Sequence, residues 1–174
     1  MNIAANQSVQ RGVGLIEMMV ALFVLAIGLL GILAMQAIGV KSTQRATFST
    51  EAQIIAADMV DRILANNDID DPADDAAYNP GGQPLDTVNA NAAVCDVVNG
   101  CAVDNQVGQD LFEWSQIVSR LPAGRGIVEF NVDDGVYTIS VVWDNELSRT
   151  NPTGNPAVDC VNQDLACYQV AVKI

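Results

Sequence analysis

Histidine is missing from the sequence altogether, so the chain lacks both the usual proton shuttle of neutral pH and the commonest metal ligand. Enzymatic chemistry is not expected of it, and neither a metal nor a cofactor is called for. Basic residues are also scarce. Eight lysines and arginines stand against 21 acids, a formal charge of -13, and a surface of that sign repels phosphate-rich polymers rather than recruiting them. Nucleic acid is therefore not an expected partner. Aromatic residues make up only 5% of a chain that is 50% hydrophobic, because much of the apolar content is alanine, valine, isoleucine and leucine packed near the start. Proline is absent from residues 13–66, which leaves that stretch without the strongest helix breaker. At 174 residues the chain has room for one core, since domains run to roughly 100 to 200 residues.

What is present begins with Met18 to Val40, a run without a single charge. About 20 such residues span a bilayer as a helix, so a transmembrane segment is expected here. Arg11 precedes it and Lys41 and Arg45 follow it, and charges on both flanks do not fix its orientation. Before the run lies a polar leader, Met1 to Gly12, whose only charge is Arg11. An ordinary secretory signal would be cut after an apolar stretch of some 7 to 15 residues, and Ala37-Ile38-Gly39 offers a small-residue site for that. The run is too long for this reading, and Glu17 stands at its entrance. A carboxylate at membrane depth is costly unless paired, which marks it as a functional candidate. The plainer alternative places Glu17 at headgroup level in the first helical turn, where the helix dipole favours a negative charge.

Beyond the membrane the pattern becomes one-sided. Phe48, Ala52, Ile55, Met59 and Ile63 recur at helical spacing, with Glu51, Asp58 and Asp61 off that stripe. One helix from about Leu15 to Asn66 would be roughly 75 to 80 Å long at 1.5 Å per residue. Asn66-Asn67 ends it, and a breaker-rich run with five aspartates in residues 68–75 follows. An EF-hand would need a glycine and a closing glutamate at offsets where they are missing, so a solvated loop reaching about Asn99 is expected, not a calcium site.

The four cysteines fall as Cys95 with Cys101 and Cys160 with Cys167. Three connectivities are open. Zinc prefers two to four residues between paired ligands, whereas these pairs have five and six. Two local bridges, Cys95–Cys101 and Cys160–Cys167, are the expectation, and they put the head in an oxidising compartment outside the cytoplasm. Gly108 to Leu121 predicts an amphipathic helix ended by Pro122, with Leu111, Trp114, Ile117, Val118 and Leu121 inward. Gly126–Val132 and Val136–Trp143 alternate around Asp133-Asp134-Gly135, a hairpin signal. Cys167–Lys173 reads as a last strand. The expected class is α+β: one long N-terminal helix, transmembrane and then amphipathic, packed on a small antiparallel sheet.

The string Arg11-Gly12-Val13-Gly14-Leu15-Ile16-Glu17, run directly into the apolar stretch, resembles the class III signal of type IV prepilins and pseudopilins. The resemblance implies a pilin-like fold, cleavage after Gly12 by a prepilin peptidase, N-methylation of Val13, and an inter-subunit assembly role for Glu17. Val13 replaces the more usual phenylalanine, and Gly14 stands where threonine or serine is common. The pattern has a physical logic. Cleavage leaves an ammonium on Val13 in apolar surroundings, and a carboxylate on a neighbouring subunit offsets part of that cost. The run Val20 to Gly31, the Trp114 helix, the Leu121-Pro122 stop and the Tyr137 to Trp143 strand look like the PilV family of minor pilins. The expected division is into four parts: a leader over 1–12, the transmembrane half of the spine over 13–40, its amphipathic half over 41–67, and a periplasmic head over 68–174. The chain would be a single-pass protein of the inner membrane, then part of the pilus or its tip. Implied partners are the prepilin peptidase, other minor pilins, the major pilin and a tip adhesin, with a role in priming assembly. A minor pseudopilin of a type II secretion system carries the same signal and is the alternative.

Overall fold

The computed structural model describes residues 13–66, 78, 85–86 and 103–174. The leader with Gly12, the acidic run after Asn66, and Cys95 and Cys101 lie outside the described residues. Seven elements follow in order: α1 (Val13–Asn66), β1 (Leu85–Asp86), α2 (Val103–Val118), β2 (Arg125–Asn131), β3 (Val136–Asp144), α3 (Pro156–Asp159) and β4 (Leu165–Lys173). The class is α+β, a long apolar N-terminal helix followed by a small antiparallel sheet. Two compact units divide the chain at Gln44 and Arg45.

In the second unit, the sheet is ordered β1-β2-β3-β4 with every neighbour antiparallel. Strand alternation sends every second side chain to one face. Val128 and Phe130 of β2, and Tyr137, Ile139, Val141 and Trp143 of β3, share one core with Ala52, Ile55, Ala56, Met59 and Ile63 of α1 and with Leu111, Trp114 and Val118 of α2. The amphipathic stripe of α1 is thus buried as its spacing predicts, with Phe48 half-buried at its edge. On the opposite face Ile127, Val142 and Leu165 form a second, smaller cluster against Cys160 and Cys167. Register matches the hairpin expectation. Asn131 pairs with Val136, so the connection is Val132 to Gly135, and Gly135 takes the left-handed φ of 61° that glycine tolerates best. Asn131 Oδ1 accepts from Asp133 N at 3.0 Å, which ends β2 one residue before the expected Val132. The last strand begins two residues earlier than expected, at Leu165, paired with Asp144.

Helix α2 departs more from its expected span of Gly108–Leu121. It starts at Val103 and ends at Val118, so Gly108 lies inside it, tolerated at the modest cost of a mid-helix glycine. Arg120 N bonds Ile117 O and Leu121 N bonds Val118 O, tightening residues 119–121 into a turn. Pro122 disfavours helical backbone at the residue before it. Leu121 is nevertheless buried, as are Leu111, Trp114 and Val118, while Ile117 is half-buried. Trp114 is the keystone. Its Nε1 donates to Ile55 O of α1 at 2.7 Å, and its ring lies against Gly126, where any Cβ would overlap it.

A polar network ties the end of α1 to α2. Arg62 pairs with Asp58 and Asp110 at 2.9 Å and with Glu113 at 3.2 Å. Burial works against its charge, yet these carboxylates raise its pKa. The Tyr78 hydroxyl lies 2.7 Å from Asp110 Oδ2. Burial, then that carboxylate, pushes its pKa well up, so Tyr78 serves as a neutral donor.

Asp144 organises the connection after β3. Its carboxylate accepts from Ser148 N at 3.1 Å and Arg149 N at 2.7 Å. Burial opposes ionisation of this side chain, but those amides outweigh it and hold the pKa below the ordinary value. A depressed folded-state pKa contributes stability that is complete above the unfolded value, about 3.9, and is lost as pH falls through the folded value. Asp144→Asn is expected to flatten the acid limb of stability below about pH 4, measured as urea midpoints between pH 6 and pH 2 in detergent. A mutant as acid-sensitive as the wild type would contradict this.

Candidate functional site

Glu17 is the only charged side chain between Val13 and Val40. It stands four residues after Val13 on α1, so the two positions share a face of the helix one turn apart. No acidic residue falls in the first turn of α1. Dipole stabilisation fades within that turn, so the plainer explanation of Glu17, a carboxylate held by the helix dipole, loses force.

The surroundings of Glu17 are apolar and open. Large side chains from Leu15 to Val40 are exposed by 53% at Leu29 and up to 77% at Met35, so this half of α1 finds no apolar partner within the described chain. A helix apolar on all sides is stable only in lipid or among other helices. Among the described residues α1 is the one helix long and apolar enough to cross a membrane, and it is consistent with a single-pass anchor. A Cβ added at Gly14, Gly28, Gly31 or Gly39 would meet nothing within 4 Å. These sites leave room for the close approach of a neighbouring helix.

Of the other residues singled out from the sequence, Cys160 and Cys167 form a disulfide across seven positions with Cα atoms 5.1 Å apart. It joins the end of α3 to β4. Val13 opens α1. Gly12, Cys95 and Cys101 lie outside the described residues. Among the described residues no group of three or more acids or cysteines is gathered to hold a metal. Sequence reading missed the Arg62 network and the capping of the β3 to α3 loop by Asp144. Only the i, i+4 spacing of Asp58 and Arg62 could have hinted at the first.

Residues 7–33 match the model of the prokaryotic N-terminal methylation motif. No curated protein and no solved structure matches the chain. The motif indicates a prepilin-like chain, of the type IV pilin or pseudopilin kind, and implies processing by a prepilin peptidase and association with the membrane.

Proposed function

We propose that this chain is a minor pilin of a type IV pilus, of the PilV kind, acting in the priming of assembly and in the tip complex. The observation that supports it most is the join between signal and spine: the methylation motif over residues 7–33 runs into an unbroken α1 whose membrane half is apolar on all sides around one glutamate. In this reading the peptidase cuts after Gly12 and methylates Val13. The head stands in the periplasm, where a disulfide such as Cys160–Cys167 persists. Glu17 then pairs with the Val13 ammonium of a neighbouring subunit, and other minor pilins, the major pilin and a tip adhesin are its partners. No catalytic role is part of the proposal.

N-terminal mass spectrometry of the protein recovered from membranes tests the processing step. The expected terminus is N-methylated Val13. Intact Met1, or a terminus near Val40, would end the prepilin reading. The same motif equally suits a minor pseudopilin of a type II secretion system. Deleting the gene separates the two: loss of surface pili with secretion intact supports the pilin reading, and the reverse result replaces it.

A further inference from the structure

The sheet has two edges, and they are finished differently. One ends in β1, two residues long, and a very short edge strand is an ordinary safeguard against unwanted pairing. The other is β4, nine residues long and matched one to one with β3 from Leu165 to Lys173 without a bulge. It holds no proline, and its sole charge is Lys173 at the far end. Charges, prolines and bulges are the usual means of blunting an edge, and β4 has none of them from Leu165 to Val172.

The direction of its backbone groups follows from one bond. Ile174 N donates to Gly135 O at 3.1 Å, and antiparallel pairs alternate, so Ala166, Tyr168, Val170 and Val172 turn their N–H and C=O groups towards β3. Those of Cys167, Gln169, Ala171 and Lys173 turn outward, where no strand among the described residues meets them. Side chains alternate in step. Ala166, Tyr168, Val170, Val172 and Ile174 lie against the core yet stay half-buried, while Tyr137, Ile139, Val141 and Trp143 beside them on β3 are at most 3% exposed. The core is left open along this edge, and what fits it is another strand with apolar residues at every second position.

Strand β4 itself meets that description. Laid antiparallel on a second copy about a twofold axis at Gln169, it sets Tyr168 opposite Val170 and Ala166 opposite Val172, each pair occurring twice. An aromatic residue opposite a β-branched one is a favourable cross-strand pair. The backbone agrees with this register. Gln169 with Gln169 and Cys167 with Ala171 become the hydrogen-bonded pairs, and these are the residues whose N–H and C=O groups face out. Lys173 comes to the end of the partner strand beside the partner's Asp164, which is exposed, so the one cation of the strand meets an acid. Every acid but Glu17 lies beyond Arg45, so two copies repel over most of their surface, and the uncharged edge of β4 adds nothing to that repulsion.

We propose that β4 is a self-association edge: two copies of the chain pair β4 on β4, antiparallel and centred on Gln169, and join their sheets into one. The pairing belongs to the head and does not rest on the reading of the chain as a pilin.

The test uses the full-length protein in nonionic detergent, followed by sedimentation velocity from about 1 to 100 μM, the span in which a modest interface dissociates. A concentration-dependent dimer is expected. Ala171→Pro removes an N–H that points away from β3, which an edge strand tolerates, and is expected to weaken dimerisation at least about tenfold through the lost inter-copy hydrogen bonds. Ala171→Lys leaves the backbone intact and puts a charge on the edge. It is expected to act in the same direction, and it carries the test if proline unfolds the head. Gln169→Cys is expected to be joined to its mate by a short bismaleimide, since facing residues of a hydrogen-bonded pair lie about 5.5 Å apart, whereas Thr138→Cys, one strand in, is not. A wild type that stays monomeric would overturn the proposal in favour of a strand from a different protein. Dimers that persist equally in both Ala171 variants would overturn it in favour of contact through α1.

Discussion

Trp114→Ala is expected to be the most destabilising single truncation in the head, lowering its unfolding free energy by about 3 to 5 kcal/mol. Trp114 is fully buried and stands where three elements meet. Its Nε1 reaches Ile55 O of α1, and its ring fills the space that Gly126 of β2 leaves open. Truncation opens a cavity that Gly126 has no side chain to fill, so the surroundings relax only in part. A domain of this kind is stable by roughly 5 to 15 kcal/mol in all, so the loss is a large share. Trp114→Phe keeps most of the volume and gives up the Nε1 hydrogen bond, which is worth about 1 kcal/mol net. Denaturant melts followed by circular dichroism in detergent measure both. An alanine variant within 1 kcal/mol of wild type would mean that α2 does not hold α1 to the sheet. Gly126→Ala supplies a check from the other side, because its methyl group meets the same ring, and an overpacking loss of about 1 to 3 kcal/mol is expected.

How much of this was legible beforehand depends on the range of the interactions concerned. The stripe Ala52, Ile55, Met59 and Ile63 was readable because helical spacing puts those residues on one face whatever they pack against. The hairpin around Gly135 was readable because turn chemistry is local. The start of α2 was not, since Gly108 looks like a boundary and the burial of Val107 overrides it. Nor was the Arg62 network, whose partner Asp110 is 48 residues away. Strand β1 is two residues long and exists only through its pairing with Val128 and Ile127. Helix α3 is one turn, capped by Asn155 and opened by Pro156, within a stretch whose proline and asparagine content reads as loop. The candidate site behaves in the opposite way. Glu17 and the apolar run are evident from the sequence, and folding of the single chain adds little to them, because in the proposed function the group that satisfies Glu17 belongs to another chain.

That asymmetry makes Glu17→Leu the sharpest test of the assembly role. In an isolated anchor the carboxylate opposes insertion, since a charge at membrane depth costs roughly 2.5 to 3.5 kcal/mol at the helix centre and less near the edge. Leucine removes the cost, so the variant is expected to reach the membrane at least as well as the wild type. The head is expected to be unchanged, because Glu17 belongs to the first compact unit and the core lies in the second. In the proposed function, processing after Gly12 leaves the Val13 ammonium of the variant in place but without a partner on the neighbouring subunit. An ammonium left unpaired in an apolar setting then opposes packing of the helices. Recovery in sheared filaments is expected to fall at least tenfold, the equivalent of about 1.4 kcal/mol, while membrane levels and the melting temperature of the head hold. Immunoblots of membrane and sheared fractions, with counts of surface pili in cells lacking the native gene, measure the separation of insertion from assembly. Full piliation by the variant would reduce Glu17 to a residue at the helix entrance. A fall in membrane level equal to the fall in filaments would place its role in insertion, and the inter-subunit pairing would fail with it.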